Sequence, residues 1–149
     1  MSTLSKIEGL LKNQTFPIME KNVDQKFETE EILLKHGVKK DSSFFKLSTK
    51  YFLRLLDTRE GNDDIVDPLP TRNFIDRNTF IHKVWKIPKK YILITTIEGE
   101  GGYLYNTEDD SVWDFNLGEQ QQLIDGTLPH WNSFYEFMEW YLDTSEGEN

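Results

Sequence analysis

The residues with the greatest chemical potential in this sequence are carboxylates. They are densest in "YILITTIEGEGGYLYNTEDDSVWDF", Tyr91 to Phe115, where Glu98 and Glu100 flank Gly99 and Glu108, Asp109 and Asp110 run together. Glycoside hydrolysis needs two carboxyl groups facing each other across a cleft, one of them with a raised pKa. Adjacent acids on a turn are solvated, and nothing in their spacing tunes one against another. A calcium loop needs alternating Asp or Asn with a central Gly and a later Glu. Neither "NTEDDS" nor "GNDDIVD" has that spacing. "EGEGG" is no phosphate loop: no lysine follows it, no helix pattern opens after it, and its two glutamates would repel an anion. His36, His82 and His130 are far apart and form no H-E-x-x-H pattern, and no G-x-S-x-G surrounds a serine. With no cysteine in the chain, disulfides, thiolate metal sites and cysteine nucleophiles are excluded. The expectation is a protein that is not an enzyme and uses no metal or cofactor.

The acidic stretch is positioned by a β-meander. Tyr91–Ile97 is apolar on both faces, with Ile92 and Ile94 on one and Tyr91, Leu93 and Ile97 on the other, which predicts a central strand. "EGEGG" is read as a turn whose glycines supply positive φ. Tyr103–Tyr105 is the second strand, "NTEDDS" the second turn, and Ser111–Phe115 the third strand. Connections this short allow only antiparallel pairing. Around the meander, apolar spacing predicts a first helix over 2–13, capped by Ser2 or Ser5, and a helical segment through "TRNFIDRNTFIHKVW" that carries Phe74, Ile75, Phe80, Ile81 and Val84. "NQTFPIMEKNVDQKF" reads as a connector. A short helix follows, from an N-cap at Thr29 to a stop at Gly37, and another begins at a cap on Asp41 or Ser42. "YFLRLL" is read as a strand rather than as more helix, and "DTREGNDDIVDPLP" as loop. "GEQQQLIDG" is a short helix and "TLPHW" a loop. The last helix starts at Ser133 with Glu136 in a capping box, and its stripe of Trp131, Phe134, Tyr135, Met138, Tyr141 and Leu142, widened by Phe137 and Trp140, must pack on a sheet. Residues 144–149 are read as a frayed tail. The fold class is α+β, in a single domain spanning 1–149.

At 149 residues, with 37% hydrophobic and 13% aromatic residues, the chain has enough apolar material for a core. No apolar run is long enough to span a bilayer. The N-terminus lacks the pattern of a secretory signal, so a cytoplasmic location is expected. Charge is segregated. Residues 1–90 hold all 17 lysines and arginines with 13 acids, a balance of +4, while residues 91–149 hold 13 acids and no lysine or arginine, a balance of −13. A half so depleted of cations does not bind nucleic acid directly, and its field favours a positive partner. The expected partner-binding residues are Glu98, Glu100, Glu108, Asp109, Asp110 and Asp114, with Tyr103, Tyr105 and Trp113 as exposed aromatic anchors in one patch.

The C-terminal half resembles a known family. Pro88 and Tyr91 as a Pro-x-x-Tyr lead-in, the strand Ile92–Ile97, the turn Gly99–Gly101, Tyr103–Tyr105, the acidic turn Glu108–Asp110, Val112–Asp114 and the helix start Ser133–Met138 are similar to the SUKH superfamily over about residues 85–142. That family includes a fungal regulator of cell-wall synthesis and many bacterial immunity proteins. The resemblance implies an α+β fold with helices around a mainly antiparallel sheet and no catalytic residues. It implies an antitoxin that binds and neutralises a cognate polymorphic toxin domain, often a nuclease; the charge reading independently fits this, since a nuclease's cationic groove is one an acidic protein can occupy. The alternative it leaves is a regulatory scaffold for the cell's own cell-wall or signalling proteins.

Overall fold

The computed structural model describes residues 3–58, 62–97 and 100–144. Among them are six helices and a four-stranded antiparallel sheet: α1 (Thr3–Lys12), α2 (Val23–Lys35), α3 (Ser43–Lys50), α4 (Thr71–Lys83), β1 (Tyr91–Leu93), β2 (Gly101–Asn106), β3 (Val112–Asn116), α5 (Gln120–Asp125), β4 (His130–Trp131) and α6 (Phe134–Leu142). The α+β class is as the sequence predicts, and no helix among the described residues is long and apolar enough to cross a membrane.

Each face of the sheet carries its own apolar cluster. Alternation along the strands sends Ile92, Tyr103, Tyr105 and Val112 to one face, where Ile7 and Leu11 of α1, Phe44 and Leu47 of α3 and Phe134, Phe137, Met138 and Tyr141 of α6 cover them. The other face presents Tyr91, Leu93, Leu104, Trp113 and Phe115 to Ile81 of α4, Trp85, Leu123 of α5 and Leu128. Burying each such side chain contributes roughly 1.5–3 kcal/mol. The aromatic α6 therefore sits against a sheet, as its composition requires, and α1 lies alongside it.

Strand order is β1-β2-β3-β4, a meander, with Ile92 opposite Tyr105, Tyr103 opposite Asp114 and Leu104 opposite Trp113. β1 is an edge strand and not a central one. Its two apolar faces are both covered, and its open edge is closed by other means. The Leu93 N–H donates to Asn78 Oδ1 at 2.8 Å, and the Tyr91 carbonyl accepts from His82 Nε2 at 2.8 Å, both side chains coming from α4. Farther along, the Val66 N–H donates to the Ile94 carbonyl and the Thr96 N–H to the Asp64 carbonyl. Side chains and a stretch of loop take the place of a neighbouring strand, a substitution that a local pattern cannot disclose.

Other boundaries also move. α2 starts at Asn22, not Thr29: Asn22 Oδ1 accepts from the Gln25 N–H and Gln25 Oε1 from the Asn22 N–H, a reciprocal box that satisfies two helix-end donors. Thr29 is buried in mid-helix, its hydroxyl donating back to the Gln25 carbonyl. Gly37 does end the helix, at φ 87°. Ser42 caps α3 and Ser133 caps α6, accepting from the Phe45 and Glu136 N–H groups. "YFLRLL" joins no sheet; Tyr51 makes only an isolated bridge to Glu20. "TLPHW" contains β4, two residues long, paired with Val112 and Trp113. Of the apolar residues predicted along α4, Phe74 and Ile81 are buried, whereas Ile75, Phe80 and Val84 are exposed. Gly101 and Gly102 lie inside β2 and do not have positive φ. A Cβ on Gly101 would strike the Phe115 carbonyl, and one on Gly102 would lie 2.8 Å from Leu93 and Thr95 side-chain atoms. They are glycine because neighbouring chain passes too close. Ser2, Gly99 and the tail beyond Thr144 lie outside the described residues.

Candidate binding surface

The turn between β2 and β3 is held by its own side chains. Asn106 Oδ1 accepts from the Glu108 N–H, and Asp109 Oδ1 accepts from the Ser111 N–H and hydroxyl. Asp110, at φ 67°, turns inward. Its carboxylate accepts from the Ser43 hydroxyl, from the Phe44 N–H at the start of α3, and from the Tyr105 hydroxyl at 2.6 Å. The residue expected to meet a partner is therefore an anchor between the meander and α3. Only Glu108 and Asp109 of this turn are exposed. Lys39 donates to the Glu108 carbonyl, and Lys90 sits 3.4 Å from the Glu108 carboxylate. Such an exposed pair contributes at most about 1 kcal/mol.

Glu100 is exposed as well, but at the other end of β2. At roughly 3.3 Å per residue, the length of that strand places Glu100 about 20 Å from Glu108. The expected single patch is thus two acidic ends of one sheet. Glu98 lies outside the described residues.

The aromatic anchors are core residues. Tyr103, Tyr105 and Trp113 are 8%, 0% and 8% exposed. Tyr105 packs on Phe44 and Phe134, and Tyr103 on Trp131, Phe137 and Trp140. Trp113 lies on the opposite face, stacked on the His130 ring with centroids 4.0 Å apart. Burial pushes both tyrosine hydroxyls well above their ordinary pKa of 10.0, and nearby carboxylates add to the effect. Both hydroxyls donate hydrogen bonds, Tyr103 to Asn62 Oδ1 and Tyr105 to Asp110.

Asp114 is half-buried beside Tyr103, facing the α6 side of the sheet. None of the ion pairs among the described residues includes it. Burial raises its pKa above the ordinary 3.8, and Glu119 raises it further. For an acid, a higher pKa in the fold means that the native state binds more protons than the unfolded chain across the window above 3.8. Stability therefore falls as pH rises through that window, and the cost is fully present above the native pKa. Asp114→Asn should raise the melting temperature at pH 7, and the gain should vanish near pH 3. Thermal unfolding at the two pH values measures it; a gain unchanged at pH 3 would contradict this account.

The three histidines are tied to structure. His36 packs edge-on against Phe74, His82 closes the β1 edge and His130 lies on Trp113. Among the described residues no three His, Asp or Glu side chains are grouped to hold a metal ion.

Two features have no counterpart in the sequence reading. One is a buried ion pair, Lys21 Nζ to Asp67 Oδ2 at 2.8 Å, with side chains 0% and 1% exposed. The other is an apolar groove of about 330 Å³ lined by Phe16, Pro17, Ile18, Met19, Phe52, Arg54 and Leu55. The groove had a signal: three large apolar residues, Phe16, Ile18 and Met19, in a segment read as polar connector. Partners 46 residues apart, as in the ion pair, leave none.

None of the 17 lysines and arginines falls in the four strands, α5 or α6. Comparison with protein-family models, with curated proteins and with solved structures returns no match.

Proposed function

We propose that this chain is an immunity-type binding protein that neutralises a cognate toxin domain, a basic nuclease in the simplest case, by covering its cationic surface. The observation that carries the reading is the placement of charge. The sheet, α5 and α6 contain no lysine or arginine, while Glu100, Glu108, Asp109 and Glu136 stand exposed on or beside them. A nuclease groove built to hold phosphate is cationic, and an acidic surface both competes for it and accelerates encounter. Asp114, half-buried and without a basic partner among the described ion pairs, adds an uncompensated charge on the α6 side. The resemblance to immunity proteins supplies the partner class.

The test is co-expression with the protein encoded by the adjacent reading frame, followed by titration of the purified pair. Affinity is expected to fall steeply with ionic strength. Reversal of Glu100, Glu108, Asp109 and Glu136 to lysine should slow association by at least about tenfold at low salt. Failure of the neighbour to bind, with recovery of the cell's own wall-synthesis or signalling proteins instead, would favour the scaffold reading. Binding indifferent to both salt and reversal would remove the electrostatic mechanism.

A further inference from the structure

The groove lies between two segments that run antiparallel, residues 14–21 and 50–57. They are fastened at several points. The Phe52 N–H donates to the Met19 carbonyl and the Lys21 N–H to the Lys50 carbonyl, both at 2.9 Å. The Thr15 N–H and hydroxyl both donate to Asp57 Oδ2 at 2.7 Å. The Lys21 ammonium lies 5.2 Å from the ring centroid of Phe52, one of the lining residues, and is pinned by Asp67. The walls are thus held in place before any ligand arrives, which lowers the ordering cost of binding.

What those walls present is unusual for solvent. Phe16 is 58% exposed, Met19 60% and Leu55 70%. Leu55 has φ 57°, a left-handed conformation that costs an ordinary side chain roughly 1–2 kcal/mol. A strained backbone that holds a leucine out into water calls for a reason outside the fold. Among the described residues that line the groove, the one that is charged is Arg54, whose guanidinium lies over the Phe52 ring, 4.8 Å from its centroid. No ion pair among the described residues uses Arg54. An apolar trough with a stacked arginine at its rim is complementary to an apolar side chain next to a carboxylate. A volume of about 330 Å³ is at the small end for a ligand pocket and suits one or two side chains.

We propose that the groove between residues 16–19 and 52–55 is a second docking surface, which takes a partner-protein segment presenting a carboxylate beside a large apolar side chain. Arg54 binds the carboxylate, and Phe16, Met19 and Leu55 hold the apolar group. The proposal does not rest on the immunity reading. It concerns the cation-bearing half of the chain and a partner feature of opposite charge.

The probe is the peptide acetyl-Phe-Asp-Leu-amide, with acetyl-Phe-Asn-Leu-amide as control, titrated into the isotope-labelled full chain and followed by amide NMR shifts. Shifts are expected at residues 16–19 and 52–55, with the aspartyl peptide binding about tenfold more tightly, the ratio expected of one charge-assisted contact. Arg54→Gln should erase that ratio while leaving the apolar contact. Leu55→Gly should lose binding while the melting temperature holds or rises, because glycine adopts that φ without strain. That pairing of effects separates a docking role from a folding one. Equal affinity for the two peptides, shifts centred elsewhere, or no shift at about 5 mM peptide would overturn the proposal. So would a concentration-dependent dimer that Leu55→Asp abolishes, which would make a second copy the occupant. Adsorption to phosphatidylcholine vesicles that depends on Leu55 would overturn it in favour of lipid.

Discussion

Replacing Asp67 with alanine should destabilise the protein by about 3–5 kcal/mol at neutral pH, because it strands a buried ammonium. Asp67 is the hub of the loop that leads into α4. It accepts from Lys21 Nζ, from the Leu53 N–H at 2.8 Å and from the Leu69 N–H at 3.0 Å. Lys21 in turn donates to the Ser48 carbonyl at 2.6 Å, so one pair ties together three distant parts of the chain. Burial already lowers the Lys21 pKa below the ordinary 10.5, against the opposing pull of Asp67. A base with a lowered pKa in the fold binds fewer protons when native, so its contribution to stability improves as pH rises from the native pKa toward 10.5. Without Asp67 that native pKa falls further. The loss in Asp67→Ala should therefore be largest near neutral pH and partly recovered around pH 9–10, where a neutral lysine is easier to form. Lys21→Met combined with Asp67→Asn should cost less than Asp67→Ala, since no charge remains buried and the amide oxygen still accepts a backbone N–H. Urea midpoints at pH 7 and pH 9.5 for the parent protein and the two variants decide the matter. A loss under about 1 kcal/mol with no pH dependence would show that the pair is not the clamp described.

Asp110→Ala should cost about 2–4 kcal/mol, from two sources. It leaves the buried Tyr105 hydroxyl and the Phe44 N–H without their acceptor, and it places alanine at φ 67°. Asp110→Asn keeps an acceptor and tolerates that conformation, so its cost should be about 1 kcal/mol. Since the Asp110 carboxylate is already spent on α3 and Tyr105, Asp110→Asn should bind a partner as the parent does, per folded molecule. Charge reversal at Glu108 or Glu100 should not. Chemical denaturation and a binding titration on the same samples separate the two roles. A folded Asp110→Asn protein with greatly weakened binding would return this residue to the interface.

The two aspartates show where local sequence information ends. Asp109 and Asp110 are adjacent and identical in type, yet one makes an Asx turn at the surface and the other reaches into a helix start 66 residues away. Periodicity and caps located α1, α3, α4 and α6, and short connections dictated the meander. The reciprocal box at Asn22 and Gln25 was readable too, but acids at the start of "TEEILLKHG" offered a competing N-terminus at Thr29. Alternation along β2 puts Tyr103 and Tyr105 on one face of the sheet and Leu104 on the other. It could not say that both faces are covered, and so the aromatics read as anchors prove to be core. β4 is too short to carry any pattern. Lys21 with Asp67, and Arg54 over Phe52, depend on how distant loops come together.

The closure of the β1 edge by Asn78, His82 and residues 64–66 restricts how this molecule can be recognised. At the other margin, β4 offers only two residues of ladder. Along these two margins of the sheet the described residues leave a partner no long row of free backbone groups to extend as a further strand, so recognition there falls to side chains. Backbone pairing is indifferent to sequence, whereas side-chain recognition is not. Exchange of a few surface residues can then redirect the protein to a new partner while every core contact stays in place. On the immunity reading proposed above, such a scaffold would change allegiance without having to change its fold.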